Sequence, residues 1–351
     1  MEGRGKSRLE FLQTSARQGN PLWLFCLAVC WLASGASTPA VVPPQLALSR
    51  VNGVTVNGTA NSTYIIQYST NLADASGWQT LTLITLSSNK AIVPSTVPIT
   101  TGIRFYRALL ASMTPPANMV LIQPGTFVMG SPSTEEDRFN DEGPQTTVTL
   151  TRPFFIGTHL VTQGEYLSVR GVNPSFFTAN TNLPVEQVSW TDASNYCSLL
   201  TERELTAGHI QPGWKFRLPT EAEWEYVCRA GTTNRFYFGD DLTYSLLPNY
   251  AWFTDNSSSQ THPVGQKPAN PWGLYDMIGN VWQWCDDWYA AYPGGSLTDP
   301  HPTDSTLGIR VLRGGSWNDD ARACRSAYRS ADLPDSGFNF YGFRVVLVIA
   351  D

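Results

Sequence analysis

GLYDMIGNVWQW, residues 273–284, is the stretch that decides the fold of this 351-residue chain. Six other short strings accompany it in a fixed order, four before it and two after it. They read PGTFVMG at 124–130, VTQGEY at 161–166, LPVEQVSW at 183–190, RLPTEAEWEY at 217–226, RGGSW at 313–317 and GFR at 342–344. Each string alone is weakly specific, but the ordered set marks one domain over residues 118–351.

In this order the strings resemble the formylglycine-generating enzymes, also called the sulfatase-modifying factor family. The resemblance implies an α+β domain, a variant of the C-type-lectin fold with long loops around a small mixed antiparallel sheet. The sequence itself predicts three short helices, because Thr162, Ser189 and Thr220 each precede an acidic residue at the spacing of a capping box. We expect buried arginines to fasten the loops by pairing with acids. The arginines are Arg313, Arg325, Arg329 and Arg344, and the candidate acids include Glu221, Glu223 and Asp335.

Composition argues against nucleic acid as a partner. The formal net charge is −6, and charged residues make up only 15% of the chain. Binding to phosphates requires a stripe of Lys and Arg, which this sequence does not contain.

The N-terminus predicts export. Arg4, Lys6, Arg8 and Arg17 precede an apolar run at 22–32, and small residues follow at 34–36. This pattern predicts a signal peptide at 1–36 and a secreted or periplasmic mature protein. The alternative is that the segment stays on the protein as an N-terminal membrane anchor. However, about 11 apolar residues are too few to span a bilayer stably.

Residues 46–112 predict a small all-β, sandwich-like module resembling fibronectin-type-III domains. Its β-rich runs are 63–68, 78–83 and 103–107, and it contains no His or Cys. We interpret it as a spacer or surface-adhesion module. A linker at 37–45 precedes it, and a stiff Pro-Pro linker at 113–117 separates it from the following domain.

The family resemblance implies a copper site that this chain lacks. The family's oxidases bind Cu(I) between two cysteines after the Gly-Gly-Ser motif, because two soft thiolates hold cuprous ion well. Aligned forward from that motif, the two positions are Asp319 and Cys324. Aligned backward from Arg344, the second position is Ala321 and the first falls in a deletion. At most one thiolate remains, so we do not expect copper.

Cysteine pairing stays open at the sequence level. Cleavage of the signal leaves Cys197, Cys228, Cys285 and Cys324. The resemblance implies a Cys228–Cys324 disulfide, although Cys324 lies two residues from the family position and Cys285 competes as a partner. The family partner of Cys197 is replaced by Val345.

The resemblance also implies structural calcium, which takes about six to eight oxygen ligands. One family site maps to Asp276, Gly279, Val281 and Gln283, the middle two through their carbonyls. The other site maps to Asn249, Tyr250, Asn256 and Ser258. Gln283 stands where a glutamate is usual, so we expect weak calcium binding. The alternative is that Asp276 only caps a turn.

Two functions follow from these residues. The first is a binding or maturation protein that takes an exported protein, peptide, glycan or secreted metabolite without oxidising cysteine. Its cleft comprises Ser316 and Cys324 as candidate catalytic residues, lined by Trp317, Trp282, Trp284, Tyr328 and Arg313. The second is a formylglycine-generating oxidoreductase with an altered site, acting on exported sulfatases. Asp286 and Asp287 could form an acid pair, but a solvated surface beside core tryptophans is favoured.

Overall fold

The structure is a computed structural model. It describes residues 117–349 apart from position 212, and before them only six short segments between residues 45 and 110. The predicted signal peptide lies outside the described residues, as do the linkers at 37–45 and 113–117 except for their last residues. The chain divides into two compact units at the Met113–Thr114 step. No helix in the described part is long and apolar enough to cross a membrane.

The first unit contains strands alone among its described segments. These are β1 (Gln45–Ser49), β2 (Gly53–Asn57), β3 (Thr63–Ser69), β4 (Gln79–Thr85), β5 (Lys90–Val93) and β6 (Phe105–Leu110). They form two antiparallel three-stranded sheets, ordered β1-β2-β5 and β4-β3-β6. Val56, Tyr64 and Ile66 are fully buried. The sandwich-like packing of this module stays a prediction.

The second unit is built on three small sheets. The first has the order β11-β17-β10-β7 and comprises β7 (Met119–Ile122), β10 (Phe154–Gly157), β11 (Trp214–Arg217) and β17 (Val346–Ile349). The second has the order β15-β14-β12-β16 and comprises β12 (Trp282–Trp288), β14 (Arg310–Arg313), β15 (Arg329–Asp332) and β16 (Tyr341–Gly342). The third has the order β13-β9-β8 and comprises β8 (Gly125–Met129), β9 (Thr146–Leu150) and β13 (Gly295–Thr298). The β12–β16 and β13–β9 pairs are parallel, so the second and third sheets are mixed. The strand pairs of the first sheet are antiparallel.

Three α-helices lie in the described part of this unit, and each begins at a predicted capping box. They are α1 (Gln163–Arg170), α2 (Trp190–Thr206) and α3 (Glu221–Arg229). The hydroxyls of Thr162, Ser189 and Thr220 each accept from an amide three residues on, which satisfies a donor at the helix start. The predicted capping boxes are confirmed. With few helices, several sheets and long connections, the described part is a mixed α+β structure.

Buried arginines tie the loops to the core, as predicted. Arg325 is fully buried and binds Glu135 and Glu142 of the loop between β8 and β9 at 2.8 and 2.6 Å. Arg329 makes a bidentate contact with Glu221 at 2.6 and 2.8 Å. This planar fork satisfies two acceptors at once.

The pairing prediction is wrong for part of the set. Arg344 binds carbonyl oxygens and Gln283 instead of a carboxylate. Glu223 pairs with Arg217 at 2.7 Å, and Asp335 accepts from the Thr191 hydroxyl at 3.1 Å. The spacing of charges along the chain did not distinguish between these partners.

Candidate functional site

The turn after β14 positions the candidate site. Gly314 and Gly315 have φ of +97° and +71°, a left-handed conformation that favours glycine. A Cβ at Gly315 would lie 2.9 Å from the Ala323 carbonyl oxygen, so the two chain segments approach closely there. This turn delivers Ser316, which is fully buried, and Asp319, which is half-buried.

Asp319 is the chemical centre of the site. Its Oδ2 accepts from the Ser316 hydroxyl and from Trp282 Nε1, the latter at 2.8 Å. The Ser316 backbone amide also hydrogen-bonds to this carboxyl group. Burial raises the pKa of Asp319, and this outweighs the lowering by Ser316 and Trp282. Oδ2 is therefore held in place by two side-chain donors, while a carboxylate has further lone pairs with which it can accept a hydrogen bond from a ligand.

Aromatic side chains accompany Asp319. Trp282 packs on Tyr328 with ring centroids 5.9 Å apart, and Tyr328 meets Phe139 edge-on at 5.2 Å. Trp317, two residues before Asp319, meets Phe177 edge-on at 5.5 Å. Trp282 and Trp317 are buried, whereas Tyr328 and Phe177 are half-buried and Phe139 keeps 44% of its surface exposed. The exposed ring surface at the site therefore comes from Phe139, Tyr328 and Phe177.

Two predicted cleft residues lie in the core instead. Trp284 is fully buried, and its Nε1 donates to the Val188 carbonyl at 3.0 Å. Arg313 is fully buried and binds Glu225 and the Ser326 carbonyl. Their polar groups are satisfied inside the domain, so neither lines an open cleft. By contrast, the structure brings Ser316, Trp282, Trp317 and Tyr328 together around Asp319.

Cys324 lies behind the site and is inaccessible. Its exposure is 0%, and burial raises the pKa of its thiol, with Asp319 and Asp320 adding to the effect. Burial therefore disfavours the thiolate, which is the form of the sulfur that acts as a nucleophile.

The Cys228–Cys324 disulfide is not formed in the structure. Cys197, Cys228, Cys285 and Cys324 are all free thiols. Cys228 Sγ faces the Ser326 hydroxyl at 3.8 Å, and Cys285 Sγ lies 3.9 Å from the Gln283 carbonyl. Within the expected pair, the Cys228 sulfur thus contacts a hydroxyl group instead of a second sulfur.

The predicted calcium ligands are largely occupied by protein donors. Gln283 is fully buried, and its Oε1 accepts from Trp224 and Arg344 at 2.9 and 2.6 Å. The carboxylate of Asp276 accepts from the Gly265 amide at 2.7 Å and from Asn280 at 3.4 Å. The side-chain oxygen of Gln283 thus has both lone pairs used and does not fit as a calcium ligand.

The second predicted calcium site also departs from a ligand set. Asn249 and Tyr250 lie in and after a short 3₁₀ turn (Leu247–Asn249). The Asn256 carboxamide makes three hydrogen bonds within its own loop, and Ser258 is exposed. The described residues contain no cluster of three or more His, Cys, Asp or Glu side chains that could hold a metal.

Asp286 and Asp287 do not form a solvated pair. Asp287 is 2% exposed and accepts from the Glu221 amide at the start of α3 at 2.8 Å. The Asp286 side chain lies 3.4 Å from His301. The interpretation as a solvated surface is wrong for Asp287, which acts as a helix-terminal acceptor.

Sequence reasoning missed part of the site. Asp319 entered only as a lost copper position, although an acid three residues after Ser316 is a local signal for a hydroxyl–carboxylate bond. Phe139 and Phe177 carried no signal, because each reaches the site from a distant loop.

Comparison with known proteins places this geometry in context. A family profile described as sulfatase-modifying factor enzyme 1-like domain matches residues 108–349. The chain is 29% identical over 256 residues to the chaperone protein LppX of Paenibacillus barcinonensis, covering 60% of this chain and 82% of LppX. It is 35% identical over 205 residues to the formylglycine-generating enzyme of Streptomyces coelicolor, covering 51% of this chain and 59% of that enzyme. The solved structure of PvdO from Pseudomonas aeruginosa superposes with a TM-score of 0.58 at 31% identity, covering 65% of this chain and 93% of PvdO.

Proposed function

The chain belongs to the sulfatase-modifying factor enzyme 1-like family, and from that premise we propose that it is an exported binding or maturation protein that acts without copper. Its ligand is a peptide, a glycan or a secreted metabolite that presents a hydrogen-bond donor to Asp319. One observation carries the proposal. The Asp319 carboxylate, bound by Ser316 and Trp282, stands where forward alignment places a copper-binding cysteine of the family.

The donor set argues for this function over copper chemistry. Cuprous ion prefers soft thiolate ligands, whereas a carboxylate is a hard donor. Cys324 is the single cysteine after Gly-Gly-Ser. Cys228 is also fully buried, and burial raises the pKa of its thiol to about 11. Burial therefore disfavours the thiolate form of both sulfurs.

The surroundings of Asp319 support recognition of a polar group carried on a flat or apolar ligand. Trp282, which donates to the carboxylate, packs on the half-buried Tyr328, and Trp317 meets the half-buried Phe177. Aromatic rings stack on sugar faces, aromatic side chains and heterocycles. LppX is named a chaperone protein and is matched over 82% of its length, which supports a role in maturing another molecule.

A matched pair of variants tests the proposal. Asp319→Asn removes the charge at the site, and Asp320→Asn removes the neighbouring charge, which is exposed and paired with Arg322. Arrays of immobilised peptides and glycans would first identify a binder of the wild-type protein. A hydrogen bond to a charged group contributes about 1.5–3 kcal/mol, so Asp319→Asn should weaken binding roughly tenfold to a hundredfold. Asp320→Asn should bind as the wild type does. Equal affinities for all three proteins would contradict the proposal.

The alternative function is a formylglycine-generating oxidoreductase with an altered site, favoured by the 35% identity to the Streptomyces enzyme. Its test combines the mature protein, Cu(I) and a peptide containing C-x-P-x-R, with mass spectrometry for aldehyde formation. We expect no aldehyde. Robust turnover that is abolished by Cys324→Ser and retained by Cys197→Ser would establish the alternative.

Export and the N-terminal module belong to the same proposal. We expect a mature N-terminus after residue 36 in the secreted or periplasmic fraction, because the leader has a basic region, an apolar run and small residues. N-terminal sequencing of the exported protein measures this. An uncut leader retained with membranes would favour an anchor. The six strands described before residue 111 support a β-sandwich-like spacer or adhesion module.

A further inference from the structure

Two neighbouring loops are each held by a carboxamide and a side-chain cation. The first is the loop at 248–256. Asn256 Oδ1 accepts from the Phe253 amide at 2.9 Å, and Nδ2 donates to the carbonyls of Pro248 and Ala251 at 3.2 and 2.9 Å. Lys267 Nζ donates to the same Pro248 carbonyl at 2.5 Å. The Pro248 oxygen therefore receives one amide and one ammonium group.

The loop at 276–283 repeats this arrangement with different residues. Gln283 Nε2 donates to the carbonyls of Asp276 and Met277, both at 3.1 Å. Arg344 Nη2 donates to the same Asp276 carbonyl at 3.1 Å, and Nε donates to Gln283 Oε1 at 2.6 Å. Arg344 is fully buried, so its charge acts at short range. Here too one carbonyl receives an amide and a cation.

These contacts conflict with ion binding at the predicted positions. A calcium ion needs oxygen lone pairs directed at it from carboxylates, amides and carbonyls. Gln283 and Asn256 instead use their oxygens as acceptors from protein donors and direct their nitrogens at the carbonyls. We infer that Lys267 with Asn256, and Arg344 with Gln283, replace calcium in this chain as the positive groups that hold the two loops.

The two loops contact each other and support the candidate site. The Asn280 amide donates to the Trp252 carbonyl at 2.8 Å, and the Gly279 amide donates to the Gly314 carbonyl at 2.8 Å. The Thr254 amide donates to the Asp319 carbonyl at 3.0 Å, and the Ser257 hydroxyl donates to the Trp317 carbonyl at 2.9 Å. The conformation of the turn that carries Asp319 thus depends on these loops. By this inference, the turn keeps its conformation without a bound calcium ion.

Thermal unfolding of the full chain in calcium and in chelator tests the inference. A calcium ion present at a hundredfold its Kd would raise Tm by roughly 5 to 10 °C for a domain of this size. We expect the wild-type Tm to be the same in millimolar calcium and in EGTA. A calcium-dependent rise of that size in the wild type would overturn the inference.

Two variants test the residues themselves. Gln283→Glu puts a carboxylate oxygen in place of the amide nitrogen that faces the Asp276 and Met277 carbonyls. It should be less stable in EGTA and gain stability in calcium, and its failure to respond to calcium would count against the role of Gln283. Lys267→Met should lower Tm equally in both buffers, whereas Lys215→Met, at an exposed position, should not. Equal Tm for the two lysine variants would rule out a role for Lys267.

Discussion

Glu186 carries a buried carboxyl group with one oxygen left unpaired. Its exposure is 0%, and Oε1 accepts from the Phe177 amide at 2.8 Å. Oε2 has no partner within the described part of the chain. Burial raises the pKa of Glu186 from 4.5 to about 7, against a smaller lowering by the amides of Phe177 and Phe176. The residue lies under the loop that supplies Phe177 to the site.

We predict that ionisation of Glu186 lowers the free energy of unfolding as pH rises toward neutrality. The folded state binds a proton that the unfolded state releases above pH 4.5, so the stabilisation is complete below pH 4.5 and is lost as pH rises through about 7. Glu186→Gln keeps an acceptor for the Phe177 amide and cannot ionise. Urea unfolding from about pH 5 to 8 should show the wild type losing roughly 1–3 kcal/mol more than the variant.

The matched control is Glu136→Gln, which alters an exposed glutamate and should retain the pH dependence of the wild type. The same loss of stability in Glu186→Gln and the wild type would show that another group is responsible.

The absence of the predicted Cys228–Cys324 disulfide is also explained by the positions of single residues. Cys324 ends a 3₁₀ turn (Ala321–Cys324), and Ser326 follows two residues later. Ser326 is the residue that faces Cys228. A two-residue offset is invisible in spacing alone, because the direction of each side chain depends on where this turn begins and ends.

At the scale of elements, the start of α3 links a capped helix terminus to buried ion pairs. The Thr220 hydroxyl accepts from the Glu223 amide at 3.1 Å, and Glu223 Oε2 accepts from the Thr220 amide at 2.9 Å. The helix also carries Glu221 and Glu225, which bind Arg329 and Arg313. A frayed first turn would therefore loosen Glu221 and its contact with Arg329.

We predict that Thr220→Ala lowers the free energy of unfolding by about 1–2 kcal/mol, because it removes the acceptor for the Glu223 amide. The corresponding fall in Tm is roughly 2–4 °C per kcal/mol for a domain of this size. Thr220→Ser keeps the hydroxyl and should lie close to the wild type. An equal loss in the serine and alanine variants would mean that the methyl group, not the cap, matters.

Local chemistry explains which elements could be predicted from sequence. The capping boxes at Thr162, Ser189 and Thr220 are contained within four residues each, and all three formed. Trp282 and Trp284 are two residues apart in β12, so alternation along the strand places them on one face. However, β12 is paired on both edges, with β14 and β16, and residues 282–285 are all buried. Whether that face met solvent depended on the other loops, which alternation does not reveal.

For the whole molecule, family membership followed from ordered motifs, whereas the site chemistry did not. The motifs fix a shared scaffold of turns and buried arginines. The site depends on what fills a few positions on that scaffold, such as Asp319 and Gln283. The side chains that contact each of these residues come from loops far apart in sequence. Shared scaffold and altered donors together explain why family resemblance predicts the fold better than the reaction.

The distribution of buried carboxyls over the whole domain gives the last prediction, a stability maximum at mildly acidic pH. Burial acts to raise the pKa of Glu142 and Glu221, but their contacts with Arg325 and with Arg329 and Arg313 lower it overall. Their stabilisation is present above pH 4.5 and is lost as pH falls through the lower folded pKa.

Glu186 and Asp287 act in the opposite direction. Burial raises both pKa values, so their contributions are lost as pH rises. The free energy of unfolding should therefore peak near about pH 4–5 and fall on both sides. Urea midpoints followed by tryptophan fluorescence across pH measure the curve. Glu186→Gln should flatten only the upper limb, since it leaves the arginine-paired carboxylates untouched. A wild-type curve that rises steadily to pH 8 would mean that ionising Glu186 and Asp287 costs the folded domain little.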